Sequence, residues 1–292
     1  MKQSLPPTET RHPESAGLDL LETRELVDLL VRDQANAVAA VRAQGATLVR
    51  VVEAIVERIG RGGRLHYVGA GTSGRLGVLD ASEMPPTFGT APALVCAHIA
   101  GGDRALREAI EGAEDDAAAG DAAMREHVGP NDAVLGISAS GGAPFVVAAL
   151  ERARAIGAIT VAITSSDDST LVAAADLAIV LPTGPEVLSG STRLKAGTAQ
   201  KVTLNTISTA VMVRLGKVHD NLMVDVVATN AKLRKRAERL VGELTGADEA
   251  RVRGALDAAN GSVRVAAVIL ARDVDAATAR VMLEREPLRS FL

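Results

Sequence analysis

The stretch His66–Gly89, "HYVGAGTSGRLGVLDASEMPPTFG", decides how the rest of the chain is read. An apolar run ends at Val68. Gly69, Gly71 and Gly74 follow with the spacing G-x-G-x-x-G, and a helical pattern begins near Ser73. A strand that turns through glycines into a helix leaves backbone N–H groups and the positive end of the helix dipole facing an anion. Two ligands suit such a loop. A dinucleotide needs, besides the glycines, an acidic residue about 20 positions on, at the end of the next strand, for its ribose hydroxyls. The next strand here ends "HIAGGD": Asp103 comes too late, beyond two glycines, and Glu83 too early. Thr72 and Ser73 instead offer hydroxyls to a compact phosphate, so NAD is disfavoured and no cofactor is expected.

On both sides of this loop, short apolar runs alternate with helical stretches. "RLHYVGAG", "ALVCAHIAGG", "DAVLGISAS", "ITVAITSS" and "LAIVLPTG" read as five strands, and Pro144–Ile156 reads as a helix between two of them. The last three runs are almost continuously apolar and rich in Val and Ile, as expected of strands covered on both faces. The alternation predicts an α/β fold, a parallel sheet of about five strands between two helical layers. Before it lie a polar arm of about 17 residues and a helical pattern from Thr23 to Ile59, with a break near Gly45. After it comes a long helix from about Thr192 to Leu215. Asp225–Leu292 shows no strand pattern: "VVATNAKLRKRAERLVGEL" reads as one helix and three short helices follow, a small bundle of the ubiquitin-associated type. The divisions expected are an arm with helices over 1–54, the sheet domain over 55–218 and a helical subdomain over 219–292.

A second turn supports the phosphate reading. The third strand ends "SASGGAP", Ser138–Pro144, and again precedes a helix. Ser138, Ser140 and Gly141 suit a phosphomonoester as Gly71, Thr72, Ser73 and Gly74 do. In a parallel sheet both loops emerge at the carboxyl edge, where ligands bind. Either turn alone reads equally well as a serine-capped strand–helix junction. Two of them on one edge favour binding.

The pair G-x-G-T-S and S-x-S-G resembles the sugar isomerase (SIS) domain, a three-layer α/β/α fold that binds sugar phosphates. Within that superfamily "GAGTSGRLGVLDASEMPPTFG", "EGAEDD" and "GPEVLSGSTRLKAGTAQK" are similar to the N-acetylmuramic acid 6-phosphate etherases, over nearly the whole chain. The resemblance implies a lyase that cleaves the lactyl ether at C3 of its sugar phosphate without a cofactor. It implies Glu83 and Glu114 as the catalytic carboxylates, a homodimer, and a place in cell-wall amino-sugar recycling. Glucokinase regulatory protein shares such motifs without the reaction. A non-catalytic sugar-phosphate regulator and a sugar-phosphate isomerase of the same fold are therefore the alternatives; both glutamates standing in their motifs favour catalysis. The pattern departs at Gly142 and Ala143, where the family has Arg-Thr, at Phe145 for Tyr, and at Met84 for Cys. The apolar "MPPTFG" beside Glu83 could desolvate that carboxyl and lift its pKa toward neutrality, as a general base requires. Glu186, in "GPE", matches a family motif without an evident role. Arg193, Lys195 and Lys201 each read equally as a phosphate or carboxylate partner and as part of a solvated helix face.

Composition bounds the remainder. The chain has 292 residues, 47% of them hydrophobic but only 1% aromatic: Tyr67, Phe88, Phe145 and Phe291. The core must be aliphatic. A net charge of −4 argues against nucleic acid held by phosphate neutralisation. The polar N-terminus shows no signal peptide, and no apolar run approaches the ~20 residues of a membrane span. One cysteine, Cys96, read as a buried inert thiol, fits a reducing cytoplasm. The five histidines, His12, His66, His98, His127 and His219, show no ligand-spaced pair, so no metal site is expected. The basic run Lys232–Arg239 reads as a solvated helix face.

Overall fold

A computed structural model describes residues 7–225 and 231–292. The first six residues of the arm and the start of the helix expected from Val226 lie outside them. The chain divides into two compact units: one runs up to Ala81 and resumes as Ala93–Val211, the other comprises Ser82–Pro92 and Met212–Leu292.

In the first unit the long helical pattern resolves into α1 (Thr23–Asp33), α2 (Ala35–Ala43) and α3 (Gly45–Gly60). Then come β1 (Leu65–Gly69), α4 (Gly71–Phe88, which runs on into the second unit), β2 (Val95–Ile99), α5 (Ala117–His127), β3 (Ala133–Ile137), α6 (Pro144–Ile156), β4 (Ile159–Thr164), α7 (Thr170–Ala174), β5 (Leu177–Val180) and α8 (Lys195–Arg214). The five strands are parallel, in the order β2-β1-β3-β4-β5. β1 and β3 are buried at every position, which is why their sequences are apolar runs rather than alternations.

The layers follow from side-chain parity. Val68, Gly136 and Ala162 are paired in register across β1, β3 and β4 and share one face. Val68 and Ala162 belong there to a core with Met124 of α5 and Phe145, Val146, Ala149 and Leu150 of α6. Gly136 makes room for it: a side chain there would meet Leu150 at 2.8 Å. Tyr67 points to the opposite face. It is 1% exposed and lies against α4, its hydroxyl donating to Asp80 at 2.8 Å. Burial and this carboxylate push the phenol's pKa well above 10, so it remains a donor.

α4 and α6 thus leave neighbouring strands β1 and β3 toward opposite faces. This is the point where the strand order reverses, and the crevice at the carboxyl ends of such a pair is where open α/β sheets hold ligands. Gly69 pairs with Ile137, so the loops that follow the two strands start level with each other.

The second unit contains a two-residue hairpin that the sequence patterns did not reveal, β6 (Val218–His219) and β7 (Leu222–Met223). It is followed by α9 (Ala231–Thr245), α10 (Glu249–Ala258), α11 (Val263–Arg272) and α12 (Ala276–Arg285). Each of the last three starts at a side-chain cap: Asp248 accepts from Arg251 N–H, Ser262 from Val265 and Asp275 from Thr278. Val241, Ala259, Val263, Ala266, Ala267, Val268 and Ala279 are fully buried at its centre. In the basic run, Arg234, Lys235 and Arg239 are exposed and Ala237 is buried, the pattern of a solvated face.

Candidate active site

The first loop is shaped by contact. A side chain at Gly74 would lie 2.6 Å from Ile99 Cγ1 and 2.7 Å from the Gly69 carbonyl, so only glycine lets α4 start this close to β1. The helix begins at Gly71, two residues before the expected start, and so takes Thr72 and Ser73 into its first turn. The N–H groups of a first turn have no helical partner and can face an anion.

In the second loop Gly141 has φ +72°, and a side chain there would strike the Ser169 hydroxyl at 2.3 Å. Its carbonyl accepts from Leu171 N–H at 3.0 Å and from the Thr170 hydroxyl at 3.1 Å, which fixes the loop to the start of α7. Ser138 Oγ accepts from Gly141 N–H at 3.2 Å and Ser140 Oγ from Gly142 N–H at 3.3 Å. Each serine accepts at its oxygen, and neither bond uses its hydroxyl proton, which a phosphoryl oxygen can take. Gly142 is exposed and Ala143 is the residue before α6, so a phosphate here would meet hydroxyls and backbone N–H groups rather than a guanidinium.

Two hydroxyls at the same edge were missed in the sequence. Ser165, just past β4, and Thr183, past β5, are 5% and 4% exposed, and their oxygens have no hydrogen-bond partner. The signal available was their place directly after strands whose neighbours end in serine loops.

The two glutamates lie on different elements. Glu114 sits in a 3-10 turn, Ala113–Asp115, that follows Gly112. Ala113 packs against the α6 core, and Glu114 itself is exposed. It shares the first unit with both serine loops. Arg75 of α4 donates to the Glu108 carbonyl at 2.9 Å and ties α4 to the segment leading to that turn. Glu83 lies in the fourth turn of α4, within the stretch that clusters with the second unit. It is neither near a helix start nor buried. It is exposed, and "MPPTFG" turns inward around it only at Met84 and Phe88, 4% and 5% exposed. Pro85 and Pro86 continue the helix but have no N–H to donate to the carbonyls four residues back.

Several other residues find their roles here. Glu186, fully buried, caps α8: its carboxylate accepts from Lys195 N–H at 3.0 Å and Ala196 N–H at 2.8 Å. Lys195 is not a phosphate partner. It is 1% exposed, and its ammonium donates to Asp33 at 2.8 and 3.0 Å and to the Pro185 carbonyl at 2.7 Å. His12 lies 3.4 Å from the same carboxylate. Arg193 and Lys201 are exposed. Cys96 is half-buried, and burial raises its thiol pKa.

Three histidines that are far apart in sequence stack in one column. His66 and His98 have ring centroids 5.3 Å apart, and His98 and His127 5.2 Å. Asp132 Oδ2 lies 3.2 Å from His66 Nε2, and His66 Nδ1 lies 3.0 Å from His98 Nε2. Burial is the main cause that brings both His66 and His98 down to a pKa of about 4. Burial pushes the Asp132 carboxyl up, but the N–H groups of Gly129 and Arg64 and the charge of Arg64 outweigh it and hold the pKa below the usual range. Among the described residues, no three His, Cys, Asp or Glu side chains converge as a metal site.

Comparison with known proteins agrees with this architecture. Residues 47–154 match the glucokinase regulatory protein N-terminal SIS domain and residues 114–210 the SIS domain. A phosphoheptose isomerase from Francisella tularensis superposes with TM-score 0.51 and 16% identity over 66% of this chain and 100% of that one. One from Neisseria gonorrhoeae gives 0.50 and 17% over 68% and 100%. At those identities the likeness is one of fold. The sequence relatives go further. The N-acetylmuramic acid 6-phosphate etherase of Deinococcus radiodurans is 51% identical over 95% of this chain and 91% of its own, and that of Rubrobacter xylanophilus 50% identical over 98% and 95%. The chain belongs to the N-acetylmuramic acid 6-phosphate etherase family. Membership extends over both units, the terminal helices included. Among the described residues of this family member, no helix is long and apolar enough to cross a membrane.

Proposed function

We propose that the protein is a carbon–oxygen lyase that converts N-acetylmuramic acid 6-phosphate and water into N-acetylglucosamine 6-phosphate and D-lactate. The observation that carries this reading is about 50% identity to etherases over nearly the full length of both chains. The serine loops at the β1/β3 switch point support it, because their hydroxyls and backbone N–H groups suit an anion.

The chemistry explains why carboxylates are needed. An ether oxygen is a poor leaving group. With the sugar ring open, the C1 aldehyde acidifies the proton on C2. A base takes that proton, the C3–O bond breaks, and lactate leaves with a proton from an acid. Water then adds at C3 of the conjugated alkene and C2 regains a proton. We assign the acid–base work at C2 and at the leaving oxygen to Glu83. Glu114 assists by activating water or passing the proton. Gly71, Thr72, Ser73, Gly74, Ser138, Ser140 and Gly141 hold the 6-phosphate. The steps exchange protons and replace the C3–O(lactyl) bond by a C3–OH bond from water with no net oxidation or reduction, so the scheme needs no redox cofactor.

A general base works best with its pKa near the operating pH, which calls for desolvation. Glu83 and Glu114 are both exposed in the single chain. This supports a homodimer in which the second subunit covers the reacting centre. We place the enzyme in the cytoplasm, in recycling of cell-wall amino sugars. Turnover of N-acetylmuramic acid 6-phosphate in water enriched in oxygen-18 and deuterium tests the mechanism. Oxygen-18 at C3 and deuterium at C2 of the product are expected. Release of lactate with neither label rejects elimination followed by hydration.

A further inference from the structure

Glu114 stands on a segment that the fold holds lightly. Between the end of β2 and the start of α5 the chain forms two 3-10 turns, Asp103–Leu106 and Ala113–Asp115. Residues 101–104, 107–109 and 114–116 are exposed. The backbone bonds that shape the segment are short-range: Ala105 N–H donates to the Gly102 carbonyl, Glu108 to Arg104, Ala113 to Ile110 and Asp115 to Gly112. Local bonds over so little buried surface open at low cost. A proton-transfer group on such a segment needs anchors from outside it. Ala113 supplies one, packed against the core of α6 beside Glu114.

Arg75 supplies the other. It follows Gly74 in α4, on the helix whose first turn carries Thr72 and Ser73. Helical side chains lean toward the N-terminus, so Arg75 stands over Gly71, four residues earlier on the same face, where no side chain blocks it. From there its Nη2 donates to the Glu108 carbonyl at 2.9 Å. The Glu108 carboxylate is engaged separately, by Arg104 at 2.7 Å. The bond therefore holds the main chain of the segment and not a mobile side chain, and a guanidinium donor makes it of the stronger kind. We infer that Arg75 is a positioning residue that fixes the Glu114 turn to the first turn of α4, so that the phosphate-holding loop and the proton-transfer group share one helix as their reference. The inference rests on the assignment of Glu114 made above. Arg75, Glu108, Glu114 and both serine loops lie in the same unit. The reaction is sensitive to such an anchor, because a misplacement of about 1 Å can cost about a hundredfold in rate.

The test is a double-mutant cycle on the full chain. It measures kcat and KM for lactate release, calorimetric Kd for N-acetylglucosamine 6-phosphate, Tm, and amide hydrogen exchange over residues 101–116. Arg75→Met keeps the stem and removes the donor. It is expected to lower kcat about tenfold and to speed exchange over 101–116, with Kd within about threefold and Tm nearly unchanged. Arg75→Lys keeps a donor at shorter reach and should fall between Met and wild type in both kcat and exchange. Adding Arg75→Met to Glu114→Gln should lower the residual kcat no further, because Arg75 acts through Glu114. Wild-type kcat in Arg75→Met, beside a Glu114→Gln protein that has lost turnover, overturns the inference alone. A loss that appears wholly in Kd overturns it too, since it would make Arg75 a direct phosphate partner, and so do effects that multiply in the double variant. Wild-type turnover in Glu114→Gln removes Glu114 from the mechanism and takes the inference with it.

Discussion

The stacked histidines should make the first unit sensitive to mild acid. Asp132 is held as a carboxylate and can only accept, so His66 donates to it from Nε2. His66 Nδ1 must then accept from His98 Nε2–H. Both imidazoles are neutral, and their pKa values of about 4 lie below the unfolded value of 6.5. Between those values the unfolded chain binds more protons than the folded one. The stabilisation is therefore complete above pH 6.5 and is lost as pH falls toward 4. At pH 5 a free imidazole is almost fully protonated and His66 about one-tenth so, which amounts to about 2 kcal/mol. His98 is partly exposed and counts for less, so the pair together loses about 3 kcal/mol, a large share of the 5–15 kcal/mol typical of a domain. The charges facing the column do not remove the effect: Arg64 and His127 push in the same direction, Asp132 opposes, and Glu126 lies 3.9 Å from His127 at the exposed end. Urea unfolding at pH 7.5 and pH 5.0 measures the loss while most carboxylates stay ionised. Proton NMR of the five histidines should show two that titrate near pH 4. His98→Gln should flatten the slope of stability against pH by removing one titrating ring and freeing His66 of its neighbour. Stability that is level from pH 7.5 to 5.0, or a His98→Gln protein that keeps the full slope, would refute the reasoning.

Other perturbations test other links. Glu186→Ala strips two buried N–H groups of their acceptor at the start of α8 and should cost about 2 kcal/mol in chemical denaturation. Gly141→Ala puts a methyl against the Ser169 hydroxyl at φ +72°; a loss of more than about 1 kcal/mol and much weaker binding of N-acetylglucosamine 6-phosphate are expected by denaturation and calorimetry. Glu83→Gln, at an exposed helix position, should melt like the wild type yet release no lactate in a coupled lactate assay. Wild-type turnover in that variant removes Glu83 from the mechanism.

The sheet was legible because strands buried on both faces must be apolar runs, and the two strand–helix loops because glycine and serine stand where those runs stop. Local pattern carries that much. It could not carry the histidine column, because His66, His98 and His127 meet only through the pairing of β1 with β2 and the approach of α5, and nothing local marks those meetings. Lys195 and Glu186 were ambiguous for the same reason. A lysine in "STRLKAGTAQK" looks like a phosphate partner until the chain brings Asp33, 162 residues earlier, to within 2.8 Å of it.

Those two residues also show how α8 is held in place. A 20-residue helix, α8 interleaves buried Lys195, Gln200, Thr203 and Ser208 with equally buried Leu204, Ile207 and Val211. Besides that apolar packing, particular polar bonds set its position: Glu186 and Asp33 at its start, Ser73 in the middle, and Asp80, which accepts from Asn205 at 2.6 Å and Ser208 at 3.1 Å, toward its end. Bonds of that kind fix register along the helix axis in a way an aliphatic interface does not, because a slip of one residue leaves several buried groups unpaired at once. Register is what places Gln200, and neither Ala199 nor Lys201, within 2.9 Å of Ser73. The buried polar seam between α4 and α8 thereby ties the first turn of α4 to a helix whose own start is fixed by Glu186 and Asp33.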